Sequence, residues 1–130
     1  MGFTKPIEQI LLSYQGTNNV SKNIIRGGRK MVKHVILWQL KDELDAEAKK
    51  QVKAEIKAGL EGLAGKIPGL LEIHVFTEGL ASANADLMLD SSFEDEASLK
   101  GYAVHPAHVA VADGVVRPNA KTRVCLDYEA

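Results

Sequence analysis

Two of the chain's four histidines, His105 and His108, stand three residues apart in the stretch Tyr102-Ala103-Val104-His105-Pro106-Ala107-His108. An imidazole with an unperturbed pKa of about 6.5 can take or give a proton near neutrality, and a phenol can donate a hydrogen bond to an oxygen gaining negative charge. Proton transfer on a small molecule is the chemistry these residue types suit, with His108 as candidate base and Tyr102 as candidate donor. The plainer reading of the same residues is a helix start: His105 as cap, Pro106 in the first turn, Tyr102 and His108 as core residues with satisfied polar tips. Spacing alone favours that plainer reading. The pair His105/His108 also has a separation used by metal ligands on a helix, but no third ligand follows from the sequence, so neither a metal nor a cofactor is expected. Gly27-Gly28 lacks the flanking strand of a phosphate loop.

The elements that must hold these residues are legible from periodicity. Lys33 to Lys41 alternates His34, Ile36, Trp38 and Leu40 against Val35, Leu37 and Gln39, as a strand does. Val52, Ile56, Leu60, Leu63 and Ile67 recur at helical steps, from an N-cap at Asp45 to a stop at Pro68-Gly69. Gly59, Gly62 and Gly65 weaken the last turns of that helix or let them pack closely. Strands are expected over 70–78, with Leu71, Ile73 and Val75 on one face, and over 85–93. A short helix over 94–101 and a second over 105–115, ended by Gly114, precede a last strand over 120–128.

The order β-α-β-β-α-α-β predicts an α+β, ferredoxin-like fold: a four-stranded antiparallel sheet with helices on one face. His34 then faces the helices and can converge with Tyr102 and His108 in one pocket, while Trp38 and His105 are further candidates for ligand contact. The other sheet face carries a mixed, substantially apolar set, taken as Val35, Leu37, Phe76, Met88 and Cys125. Such a face is larger than a monomer usually leaves in water, so a homodimer with two sheets face to face is expected. Cys125 and His74 read as interface or rim residues rather than catalysts.

Composition narrows the class. At 130 residues the chain holds one sizeable core, and 45% hydrophobic with 25% charged residues is globular composition. A net charge of −1 without a basic, aromatic-interleaved stripe argues against nucleic acid, and the apolar runs are too short to span a membrane. A lone cysteine fits a reducing compartment, hence a cytoplasmic expectation. Residues 1–30 carry +4 and residues 31–130 carry −5. The first segment reads as a mostly disordered N-terminal extension. Gly27-Gly28-Arg29-Lys30 can be encoded by a purine-rich stretch like a ribosome-binding site, which makes Met31 a candidate natural start and residues 31–130 the domain.

Over residues 31–130 the chain resembles the stress-responsive A/B barrel (Dabb) group of dimeric α+β barrels. The likeness rests on Met31-Val32-Lys33-His34-Val35-Ile36-Leu37, on Ile67-Pro68-Gly69, on Phe93-Glu94 and above all on Tyr102-x-x-His105-Pro106-x-His108. It implies a domain that dimerises through its sheets. Many members have no assigned reaction. One branch, resembling the plant polyketide cyclases of the olivetolic-acid type, uses the pocket for an aldol-type ring closure; there His108 matches the general base, Tyr102 the supporting phenol and His34 the strand histidine, while His105 looks structural. Three functions are therefore carried forward. They are a homodimer of unassigned reaction with a pocket for a small apolar or carbonyl-containing ligand, a cofactor-independent acid/base enzyme such as a cyclase or lyase, and a non-catalytic stress-protective dimer.

Overall fold

The computed structural model describes residues 30–130, so the expectations for the N-terminal extension lie outside the described residues except at Lys30. Strand β1 (Val32–Leu40) is followed by helix α1 (Ala46–Glu61), strands β2 (Leu70–Phe76) and β3 (Leu87–Phe93), helices α2 (Glu96–Val104) and α3 (Pro106–Val111), a π-helical segment Ala112–Val116, a last turn Arg117–Asn119, and β4 (Ala120–Glu129). The four strands form one antiparallel sheet in the order β2-β3-β1-β4, the ferredoxin-like arrangement, with the helices on one face. None of these helices is long and apolar enough to cross a membrane.

The core lies between α1 and the inward face of the sheet. Val52, Ile56 and Leu60 pack on Ile36, Trp38, Ile73, Val75 and Leu89, all buried. Asp45 caps α1, its carboxylate accepting from Ala48 N–H at 2.8 Å. The helix stops at Glu61 rather than running to Pro68; Leu63 and Ile67 reach the core from turns. Gly59 is a close-packing position, since a Cβ there would stand 2.9 Å from Val111 Cγ1, and this lets α3 approach α1. The end of α1 also covers the edge strand β2. Lys57 Nζ donates to Val75 C=O at 2.8 Å, and Glu61 Oε2 accepts from Val75 N–H at 2.9 Å, so side chains occupy backbone groups that an edge would leave open.

Three further expectations need correction. The register of β2 on β3 shifts between Leu70 and Glu72, so Leu71 is bulged out and exposed while Leu70 faces inward opposite Phe93. The crossover does not end at Gly114, which sits inside the π-helical segment. The third correction concerns β4. Its pairing with β1 sets Arg123 opposite Trp38, Cys125 opposite Ile36 and Asp127 opposite His34. Cys125 therefore faces the helices rather than the open side, and Val124, Leu126 and Tyr128 occupy the open side. The strand's polarity is inverted relative to its neighbours, with charged and polar groups inward and apolar groups outward. Beside that open apolar strip, Lys33 Nζ lies 2.5 Å from Asp90 Oδ1 and donates to Ser92 Oγ at 2.9 Å.

Candidate functional site

The crossover α2-α3 places the histidine motif over the inward face of β1. Asp95 starts α2, its carboxylate accepting from Ser98 N–H at 2.8 Å, and the helix carries Tyr102 inward. His105 then breaks the helix with extended backbone, and its Nδ1 accepts from Ala107 N–H at 3.1 Å to cap α3, with Pro106 in the first turn. His105 does not line the cavity that its neighbours enclose. One turn later His108 stacks over Tyr102, ring centroids 4.1 Å apart. The tyrosine's opposite neighbours are Phe93 at 5.0 Å and His34 at 6.0 Å, both edge-on. The crossover and β1 thus bring His34, Tyr102 and His108 together, and Trp38 lines the same cavity, of about 600 Å³, between the helices and β4.

The protonation pattern follows from the partners. His108 Nδ1 lies 3.3 Å from Ala103 C=O, which can only accept, so Nδ1 carries the hydrogen and Nε2 is the basic nitrogen. His34 Nδ1 lies 2.5 Å from Asp127 Oδ1, and the carboxylate fixes the same tautomer there. Burial pushes the His108 pKa down and outweighs the hydrogen bond to Ala103 C=O, which favours the protonated ring; the charges of Arg117 and Arg123 act in the direction of burial, so the ring is neutral at pH 7. Burial raises the Tyr102 pKa well above that of a free phenol, which keeps it a donor. The hydroxyl itself is buried and has no hydrogen-bond partner among the described residues. A buried orphan hydroxyl is uncommon, because leaving such a group unmade costs about 1–3 kcal/mol.

Asp127 and Arg123 were missed from the sequence. They lie more than eighty residues from the β1 positions they oppose, and only the β1–β4 register pairs them with His34 and Trp38. Cys125 Sγ completes a small group with Asp127 and His34, 3.3 Å from Asp127 Oδ1 and 3.7 Å from His34 Nδ1. Among the described residues, this is where three metal-ligating side chains meet, within 4.8 Å. The His34–Asp127 bond accounts for the grouping, and burial followed by Asp127 pushes the Cys125 pKa up, which keeps it a thiol. His74 lies on the open face near Glu72 and apart from the cavity.

Comparison with known proteins agrees with this architecture. The sequence profile of the stress responsive A/B barrel domain matches residues 32–130. A dimeric protein of unknown function and ferredoxin-like fold from Bacteroides fragilis is 33% identical, with a TM-score of 0.72 over 77% of this chain and 96% of its own. A ferredoxin-like Dabb family protein from Mesorhizobium loti is 20% identical over 77% and 96%, with a TM-score of 0.60. The hydroxynitrile lyase of Passiflora edulis is 18% identical over 78% and 94%, also at 0.60, and shares the fold. No curated protein matches the chain.

Proposed function

From the premise that this chain belongs to the stress-responsive A/B barrel (Dabb) family, we propose that its cavity binds a small carbonyl-containing molecule and acts on it by proton transfer. The observation that carries this reading is that Tyr102, whose buried hydroxyl has no partner among the described residues, lines a cavity of about 600 Å³ together with His34 and His108. A ligand carbonyl supplies the acceptor that hydroxyl lacks. His108 Nε2 then removes a proton from the carbon beside the carbonyl: the C–H bond breaks, an N–H bond forms, and the electron pair moves into an enolate whose oxygen takes the Tyr102 hydrogen bond. His34, held by Asp127, orients the ligand or shares the proton. Trp38, Leu60 and Leu89 supply the apolar wall.

The test is a thermal-shift screen of small ketones, aldehydes and esters on wild type beside His108→Ala, followed by proton NMR of each hit in deuterium oxide. Hits that lose affinity in the variant and exchange hydrogen beside the carbonyl only with wild type support the reading. Identical profiles for the two proteins would overturn it.

The same fold supports a homodimer. The structural relative from Bacteroides fragilis is dimeric, and here Val124 and Leu126, each 64% exposed, stand with Leu37 on a sheet face that none of the described helices covers. We place the second copy on that face, where it removes those side chains from water.

A further inference from the structure

We infer that the cavity's ligand is an amphipathic monocarboxylate, its acid group held at the mouth by Arg123 and its apolar body against Trp38 and Leu89. This inference rests on the binding reading above and adds the chemical class of the ligand.

The first support is composition. Residues 31–130 carry −5, yet the cavity is lined by Arg117, Lys121 and Arg123 and by no acidic residue. A neighbouring depression of about 520 Å³, which shares His34 and Arg123, has Glu96, Asp127 and Glu129 in its wall, so freedom from acids is peculiar to the first cavity. The second support is position. Arg123 occupies an inward register opposite Trp38, where the other strands place apolar side chains. It lines the same cavity as Tyr102 and His108, the proposed reacting groups.

Charge balance limits the ligand to a single negative charge. Arg117 is already answered by Asp113, and Lys121 by Asp42 at 2.9 Å. Arg123 forms no carboxylate pair among the described residues, although its guanidinium does touch the Cys125 thiol. One guanidinium without a counter-ion matches one carboxylate, which it can grip through two parallel N–H···O bonds. The wall beyond it, Ile36, Trp38, Leu60 and Leu89, is apolar and accepts a hydrocarbon or aryl body rather than a second charged group.

The experiment uses three probes: 3-phenylpropanoate, its uncharged amide 3-phenylpropanamide, and acetate, which has the charge without the body. Affinities are read by calorimetry on wild type, Arg123→Gln and, as a charge-matched control far from the cavity, Lys50→Gln. The expected result is that wild type and Lys50→Gln bind the acid about tenfold more tightly than the amide, that acetate does not bind, and that Arg123→Gln levels acid and amide. Equal binding of acid and amide to wild type would overturn the anion assignment while leaving the binding reading intact. Acetate binding as tightly as the larger acid, or an acid preference that survives in Arg123→Gln, would also overturn it. Failure of every probe to bind wild type would count against the binding reading itself.

Discussion

His34 and Asp127 meet across the β1–β4 ladder with Nδ1 and Oδ1 2.5 Å apart. The carboxylate selects one imidazole tautomer and leaves Nε2 basic beside Tyr102. Asp127→Asn removes that selection. Its side chain is 45% exposed, so solvent screens the pair and the stability cost is expected to stay below about 1 kcal/mol. The tautomer is the sensitive readout: nitrogen-15 NMR of His34 should show Nδ1–H in wild type and a mixture in the variant. An unchanged tautomer would remove Asp127 from the site.

Tyr102→Phe separates structure from function. The hydroxyl has no partner to lose, so its removal is expected to leave the melting temperature within a few degrees of wild type or to raise it. Ligand affinity should fall about tenfold for any carbonyl-containing hit. A large loss of stability in this variant would mean that the hydroxyl is already satisfied.

His108 links the site to pH. Its folded pKa lies below the unfolded value near 6.5, so the unfolded chain binds the extra proton first. The contribution is steady above pH 6.5 and is lost as pH falls towards the lowered folded pKa. Because the ring is only half-buried, the effect should be below about 1 kcal/mol. Urea titrations of wild type and His108→Asn between pH 7.5 and about 5 should diverge in that window, with wild type showing the steeper fall. Parallel curves would contradict the depressed pKa.

Gly69 and Gly65 form an internal control. Both have positive φ, at +81° and +78°, but a Cβ on Gly69 would collide with the Ser98 side chain whereas one on Gly65 meets nothing within 4 Å. Gly65→Ala is expected to cost about 1–2 kcal/mol for the left-handed backbone alone. Gly69→Ala should cost about 2–4 kcal/mol, because the start of α2 must also move. Equal costs by urea unfolding would show that α2 yields freely at Ser98.

For the assembly, the paired substitution Val124→Glu with Leu126→Glu places two charges on the proposed seam. Light scattering at micromolar concentration should change from dimer to monomer. A wild-type chain that is already monomeric there would remove the seam.

Much of this arrangement was legible in the sequence because it depends on local pattern. The alternation of His34, Ile36, Trp38 and Leu40, the cap at Asp45, the helical spacing of Val52 to Leu60 and the break at His105-Pro106 each follow from neighbours a few residues apart, and together they define the ferredoxin-like order. What depends on partners distant in sequence was not legible. Alternation along β4 shows that Val124 and Cys125 face opposite ways but not which of them faces the helices; the register with β1 decides it. The bulge at Leu71 arises likewise from the pairing of β2 with β3. For that reason His34, Tyr102 and His108 could be named as candidates in advance, whereas Asp127 and Arg123 emerged only once the strands were paired.

The inverted polarity of β4 gives the strand a parity. Shifted by one residue against β1, it would turn Val124 and Leu126 towards the cavity and carry Arg123 and Asp127 to the outer surface, so that cavity and seam would fail together. Shifted by two, it would restore the inward and outward sets but part Asp127 from His34. Recognition and assembly in this fold thus share one indexing choice: an insertion before Ala120 that the strand must absorb costs both in odd steps, whereas in even steps it spares the seam and costs the His34–Asp127 pair.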